Sequence, residues 1–332
     1  MNTIDIDAAI VRTRGVVRYT PLLESTLLNQ IVGRRILVKA ECLQHTGSFK
    51  FRGAWNAVSA FDETQKKHGV IAYSSGNHAQ GIAQAARLLE IPATIIMPDD
   101  APRTKLDNTR ALGASVVTYD RRGGESREAL GQSLADERGL TLVRPYDDPM
   151  VVAGQATCGV EIAEQAKDAG VTHADVLTCC GGGGLSAGIA LALSTRVPGL
   201  RTRPVEPDCA DDVCRSLIAG TRLDVEGRPD TVCDAIITPS PGELTFPIMQ
   251  RLCGPGVSVS DSDVFDAMAM ALRYLKLVIE PGGAVALAAA IRGRDREAGG
   301  GDVIVVASGG NVDDDMLAHA LTQHTLSQAS PT

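Results

Sequence analysis

Ser48-Phe49-Lys50-Phe51-Arg52-Gly53-Ala54 sets a lysine between two of the chain's 5 phenylalanines. The stretch follows the apolar run Ile36–Glu41 and opens a helical pattern, so Lys50 stands where a strand hands over to a helix. Apolar neighbours and a helix N-terminus both disfavour an ammonium ion, so the Lys50 pKa is expected to fall. An unprotonated amine can form a Schiff base with a carbonyl compound. The ordinary alternative is a solvated surface lysine. Thr46 or Ser48 is the expected N-cap of the helix.

Outward from this segment, short β-branched runs alternate with longer helical patterns. Strands are expected at Ile36–Glu41, Val70–Tyr73, Ala93–Met97, Ser115–Tyr119, Val176–Cys179, Arg201–Glu206 and Val303–Ala307. Helices are expected near Arg52–Phe61, Ala79–Leu89, Arg103–Leu112, Ser126–Glu137, Val151–Ala169, Leu185–Ser194, Ser262–Leu277 and Ala284–Arg292. This alternation predicts an α/β fold with parallel sheets covered by helices on both faces. Ligands in such folds bind beyond the carboxyl ends of the strands. Three polar loops lie there: Ser74-Ser75-Gly76-Asn77-His78, Cys180-Gly181-Gly182-Gly183-Gly184 and Ser308-Gly309-Gly310-Asn311. Residues 219–243 and 292–302 read as surface connections.

Four consecutive glycines cost backbone entropy and lend no packing, which makes sense where a ligand must approach the backbone. N–H groups at a helix N-terminus suit an anion such as phosphate. A flexible turn is the plainer alternative. The loop also fits two short patterns. Gly182-x-Gly184-x-x-Ala187, with Glu206 ending the next strand, matches a dinucleotide fingerprint and would make the protein a nicotinamide (NAD) dehydrogenase. Gly184-x-Ser186-x-Gly188 matches a nucleophile elbow, which would make it a serine hydrolase with His319 as base. The elbow, however, needs its serine directly after the strand.

Composition narrows the field. The 332 residues suggest about two domains at roughly 150 residues each. With 32 Lys+Arg against 40 Asp+Glu the net charge is −8, so no basic field exists for nucleic acid. Aromatic residues are too few for base-stacking platforms. No apolar run approaches the ~20 residues of a membrane span, and Met1–Ala9 lacks the features of a signal peptide. The 8 cysteines show no C-x-x-C and read as buried, reduced thiols of a cytoplasmic protein.

Ser48–Ala54, Ser74–His78, the tetraglycine loop, Glu280-Pro281 and Ser308–Asn311 together resemble the fold type II pyridoxal-phosphate enzymes, in order over nearly the whole chain. The likeness is greatest to the threonine/serine dehydratase (ammonia-lyase) and serine racemase branch. It implies a tryptophan synthase β-like fold of two domains, each a mainly parallel sheet flanked by helices. The large domain would comprise residues 1–59 and 147–332, and a small mobile domain residues 60–146. It further implies a homodimer acting on a small amino-acid substrate, and pyridoxal 5'-phosphate as cofactor.

The resemblance assigns roles residue by residue. Lys50 would carry the cofactor as a Schiff base, with Phe49 against the ring. Gly181, Gly182, Gly183, Gly184 and Leu185 would bind the phosphate through backbone N–H groups. Asn77 would bond the ring's 3′-oxygen and Ser308 the pyridine nitrogen, while Glu280 would line the cavity. A hydroxyl at the ring nitrogen leaves it largely unprotonated and makes a weaker electron sink. Ser74, Ser75, Gly76, Asn77 and His78 would receive the substrate carboxylate. Ser75 would face the ring opposite Lys50, so that α-carbon reprotonation from it would let racemisation compete. Loop and cap structure is the plainer alternative for Ser75 and His78.

The implied reaction is elimination: the substrate amine displaces Lys50, the freed lysine takes the α-proton, and the β-hydroxyl leaves. Hydrolysis of the product then gives a 2-oxo acid and ammonia. Serine and threonine are the default substrates. Pro145-Tyr146-Asp147-Asp148-Pro149 looks more like the bacterial dehydratases than the animal racemases. Arg127 matches a position that can reach the active site, where it could pair with the second carboxylate of 3-hydroxyaspartate. On its own it reads first as a surface arginine on an amphipathic helix. Phenylserine or a hydroxyectoine breakdown product also fits. Glu206-Pro207-Asp208-Cys209-Ala210-Asp211-Asp212 resembles the metal segment of this branch. Glu206, Asp212 and the Ala210 carbonyl would there bind Mg²⁺, Mn²⁺ or Ca²⁺. The same acids would equally cap a helix. No regulatory domain follows Asn311, so a catabolic enzyme without isoleucine feedback is expected.

Overall fold

Two sheets form the frame of the computed structural model, which describes residues 4–74, 76–101, 103–120, 123–227, 229–295 and 301–323. The strands are β1 (Leu22–Glu24), β2 (Ile36–Lys39), β3 (Val70–Tyr73), β4 (Ala93–Pro98), β5 (Ser115–Tyr119), β6 (Thr141–Leu142), β7 (Ala174–Cys179), β8 (Leu200–Pro207), β9 (Val257–Val259) and β10 (Val303–Val306). The larger sheet runs β1-β2-β10-β7-β8-β9, parallel except for β1, which pairs antiparallel with β2. The smaller, β5-β4-β3-β6, is parallel throughout. Central strands such as β2, β3, β4 and β10 are buried along their whole length. That is why they read as unbroken apolar runs: helices cover both faces of a parallel sheet.

Each expected strand is present, within a residue or two of its bounds. The missed strands β1, β6 and β9 are two or three residues long, too short to carry a period. The single helix expected over Ser262–Leu277 ends at Met270, and a π-helical turn, Ala271–Leu275, stops at Lys276 with φ 61°. The expected N-cap is also corrected. Thr46 has φ 57°, and Ser48 is drawn into an antiparallel bridge with Gly309. Helix Lys50–Ser59 therefore starts from Phe49 without a side-chain cap.

That helix bridges the sheets. It packs between helices Asn77–Leu88 and Pro149–Asp168. Phe51, Trp55 and Val58 share one apolar cluster with Val70, Ile82 and Ile95 of the smaller sheet's side. Gly154 permits the approach of helix Pro149–Asp168, because a Cβ there would lie 2.6 Å from the Arg52 carbonyl oxygen. The other face carries charge. Arg52, fully buried, meets Glu41 at 2.7 Å and Glu161 at 2.7 Å, and Lys39 Nζ meets Glu161 at 2.5 Å. Two cations and two carboxylates thus neutralise each other where water cannot, and breaking one partner of such a pair costs ~3–5 kcal/mol. This lattice clamps the segment two residues beyond Lys50 to β2 and to helix Pro149–Asp168.

Candidate active site

β2, β10 and β7 are parallel neighbours, so the loops leaving their carboxyl ends lie side by side. These loops carry Lys50, Ser308 and the tetraglycine run. From the smaller sheet, the loop after β3 adds Ser74, Gly76, Asn77 and His78. Together they enclose a cavity of about 160 Å³. Ser75 lies outside the described residues. Lys50 Nζ donates to the Pro145 carbonyl at 2.9 Å and stands 5.1 Å from the centre of the Phe49 ring. Burial brings its pKa down to about 8, against a smaller upward pull from Cys179 and Glu280. The expectation of a depressed lysine is met, chiefly by desolvation.

The glycine loop opens helix Gly184–Arg196, with Gly183 at its N-cap and φ 89°. A Cβ at Gly183 would sit 2.5 Å from Met249 Cε, and one at Gly182 would enter the Tyr146 ring at 2.2 Å. The Gly182 carbonyl accepts from Thr245 Oγ1 at 2.5 Å and Gly242 N at 3.2 Å. In a trans peptide this turns the Gly183 N–H the opposite way. The first N–H groups of the helix, with Leu185 buried behind them, lie where an anion could be held.

Asn77 starts helix Asn77–Leu88, and its Nδ2 donates to Glu280 Oε1 at 2.5 Å. Asn311 Nδ2 reaches Asn77 Oδ1 at 2.7 Å and the Thr46 carbonyl at 2.8 Å. Gly309 leaves room for this group: a Cβ there would be 1.8 Å from Glu280 Oε1. Ser308 is buried, and its Oγ lies 3.1 Å from Cys179 Sγ. The sequence assigns no role to Asn311 or Cys179. Tyr146 and residues 234–238 also line the cavity. The expectation that 219–243 is wholly surface connection is thereby corrected: Cys233 is fully buried and Ile236 packs on the main core. Thr231 and Val232 pin the segment to Asp261.

His78 Nε2 is 3.1 Å from the Val143 carbonyl, which only accepts, so this nitrogen bears the hydrogen. Burial pushes its pKa down to about 3, so the ring is neutral and its one N–H is spent. A donating His78 side chain for a substrate carboxylate is therefore not met; its backbone N–H is what it can offer. Ser74 Oγ accepts from Gly76 N at 3.2 Å, which shapes the loop. Arg127 is no mere surface residue. It begins helix Arg127–Arg138, capped by Ser126, and lines the cavity. Its guanidinium carbon is 5.6 Å from the Tyr73 ring centre, and its Nε donates to Glu128 at 2.8 Å.

Glu206 lies near the end of β8, beside the glycine loop's strand. Its carboxylate accepts from Val213 N at 3.0 Å and Cys214 N at 2.7 Å, capping helix Asp212–Ala219. Asp212 is 3% exposed and its Oδ2 has no hydrogen-bond partner. Burial, then the Asp212 charge, raises the Glu206 carboxyl to about 8, and burial raises Asp212 to about 6. Ala210 turns between them, its N–H donating to the Pro207 carbonyl at 3.0 Å. Among the described residues no group of three or more His, Cys, Asp or Glu is arranged for a metal.

The competing patterns in the glycine loop fail. Ser186 is fully buried inside helix Gly184–Arg196, bonded to Thr178 Oγ1 at 2.7 Å, and cannot be an exposed nucleophile. His319 packs on Phe265, with ring centres 4.8 Å apart. Glu206 is occupied as a helix cap rather than presented to a ribose. All 8 cysteines are free thiols, although Cys209 is exposed and Cys253 half-buried rather than fully buried as expected. No helix among the described residues is long and apolar enough to cross a membrane.

Known proteins are similar to this chain over nearly its whole length. An L-threo-3-hydroxyaspartate ammonia-lyase from a Pseudomonas species is 42% identical over 96% of this chain and 97% of its own. An L-threonine ammonia-lyase from Thermotoga maritima is 39% identical over 94% of this chain and 76% of its own. The solved structure of maize serine racemase superposes with a TM-score of 0.88 at 34% identity, covering 96% of this chain and 97% of that one. Residues 13–309 match the family described as pyridoxal-phosphate dependent enzyme, and with the fold type II architecture in place, this chain belongs to that family.

Proposed function

We propose that this chain eliminates water from a small L-β-hydroxy amino acid of the serine and threonine class, giving a 2-oxo acid and ammonia. One observation carries the reading: a buried amine, a glycine-lined helix N-terminus and a buried hydroxyl converge on one cavity. That donor set fits pyridoxal phosphate. Lys50 would hold its aldehyde carbon, and Phe49 would flank the ring. Gly181 to Leu185 would take the phosphate, Asn77 the 3′-oxygen and Ser308 the ring nitrogen, with Glu280 behind Asn77. When bound, the cofactor supplies an electron sink for negative charge at the substrate's α-carbon.

The chain's own groups supply the rest. With its pKa brought to about 8, the Lys50 amine is partly unprotonated near neutrality and can accept the α-hydrogen. The Pro145 carbonyl holds one of its N–H groups and so orients the lone pair. N–H groups from Gly76 to His78, at the start of a helix, suit the substrate's α-carboxylate. Ser75, from the same loop, is the proposed opposite-face group. Closure of residues 60–146 on residues 1–59 and 147–332 would exclude water.

A second reading is favoured by Arg127. A guanidinium lining the cavity suits a substrate with a second carboxylate, such as 3-hydroxyaspartate, the substrate named for one 42% identical relative. Serine racemisation is the third outcome within the branch. The buried carboxyls of Glu206 and Asp212, both raised in pKa, support a divalent cation, Mg²⁺ first and Mn²⁺ or Ca²⁺ as alternatives, completed by the Ala210 carbonyl. Free thiols support the cytoplasm, and a homodimer is part of the same proposal. The test is 2-oxo acid and ammonia release from serine, threonine and both hydroxyaspartate diastereomers, with the wild type and Arg127→Ala. Release from none of them sinks the elimination reading. Equal losses on all four after Arg127→Ala sink the second-carboxylate role.

A further inference from the structure

Cys179 ends β7, and Ser308 follows β10, its parallel neighbour. Their side chains meet in the cavity wall, Sγ to Oγ 3.1 Å, at 4% and 3% exposure. Cys180 next door faces away, its Sγ 3.9 Å from Met249 Sδ. Burial pushes the Cys179 thiol up to about 11, so it keeps its hydrogen at neutral pH. A serine oxygen has one hydrogen and two acceptor positions. With the S–H on one acceptor position, the hydrogen of Ser308 is left to point into the cavity.

We infer that Cys179 is a positioning residue: its thiol fixes Ser308 as a hydrogen-bond donor toward the cofactor's ring nitrogen and so holds that nitrogen unprotonated. This rests on the proposed placing of Ser308 at the ring nitrogen. Were Ser308 instead donating to Cys179, its lone pairs would face the ring and favour a protonated nitrogen. The direction of one hydrogen bond therefore selects the ring's protonation state. An unprotonated ring draws electrons more weakly and shortens the life of charge at the α-carbon. Departure of the β-hydroxyl then outruns reprotonation, so Cys179 biases the site toward elimination and away from racemisation.

The test uses the holoenzyme with Cys179→Ser, which keeps a donor, and Cys179→Val, which removes it at similar size. The readouts are the pH titration of the bound cofactor's absorption and the ratio of α-hydrogen exchange in deuterium oxide to 2-oxo acid release. Cys179→Ser is expected to follow the wild type. Cys179→Val is expected to shift the titration by about half a pH unit or more and to raise the exchange ratio about threefold, the scale of one weak hydrogen bond. A titration and ratio unchanged in Cys179→Val overturn the inference. An infrared measurement on cofactor-free protein stays decisive if Cys179→Val fails to fold. Ser308→Ala should move one component of the S–H stretching band, and an unmoved band overturns the inference. A wild type that takes up no pyridoxal phosphate overturns both this inference and the functional reading. Uptake with unchanged Cys179→Val behaviour removes the inference alone.

Discussion

Asn77 donates from Nδ2 to Glu280 Oε1 at 2.5 Å, a hydrogen bond between the two sheets' loops. Asn77 begins the helix after β3 of the smaller sheet. Glu280 precedes helix Pro281–Arg292, which packs on β7 and β10 of the larger one. The amide is oriented by Asn311, which donates to its oxygen at 2.7 Å. Asn77 therefore has a fixed direction before any ligand arrives. Asn77→Ala should weaken pyridoxal phosphate binding by about tenfold, the scale of a hydrogen bond to a charged group. Asn77→Asp should be worse, because it sets a second carboxylate against Glu280. Titration of intrinsic fluorescence with cofactor measures both, and equal affinity of the two variants would show that charge at this position does not matter.

Lys50 gives a prediction about pH. Burial lowers its pKa to about 8. At pH 7.5 about a quarter of the amine is then unprotonated, against about a thousandth for an ordinary lysine at 10.5. The reactive form is the neutral one, so Schiff-base formation by the cofactor-free protein should rise with pH and level off just above 8. A rise continuing beyond pH 10 would mean a solvated lysine. Lys50→Ala should abolish borohydride-fixable cofactor altogether.

The place of Lys50, the glycine loop and Ser308 beyond the ends of parallel strands was legible in sequence for a physical reason. Parallel strands buried on both faces are unbroken apolar runs, and their carboxyl-end loops are where ligands bind. What stayed hidden depends on neighbours distant in sequence. Cys179 looks like any small buried residue until β10 lies beside β7 and brings Ser308 to 3.1 Å. Residues 234–238 look like a polar connection, because it is Asp261, far along the chain, that pins their approach to the cavity. The resemblance makes Glu206 a metal ligand, while its charge alone fits a helix cap. Its hydrogen bonds to Val213 and Cys214 establish the cap, while the partnerless Asp212 oxygen keeps a cation in play.

Arg52 is expected to govern stability rather than chemistry. Its guanidinium is fully buried between Glu41 and Glu161. Arg52→Met leaves the Glu41 carboxylate without its main counter-charge in a place water does not reach. The loss should be ~3–5 kcal/mol, read from urea unfolding. Adding Glu41→Gln should restore part of it, since the stranded charge rather than the missing bond is the larger cost. A double variant less stable than Arg52→Met alone would contradict that account.

Asp212 is where the proposed cation is tested. Its Oδ2 is buried and unpartnered, and its charge raises the neighbouring Glu206. Without a cation, both carboxyls have pKa values raised in the fold. They favour folding most below the ordinary carboxylate range, and that advantage is lost as pH rises through about 6 for Asp212 and about 8 for Glu206. A bound divalent ion reverses the sign, because it needs both groups ionised. Magnesium should therefore raise the melting temperature of the wild type more at pH 8.5 than at pH 6. Asp212→Asn removes one ligand charge and the repulsion together, so it should melt near the wild type without magnesium and gain nothing from it. A magnesium response that survives Asp212→Asn would place the ion elsewhere and leave Glu206 as a helix cap alone.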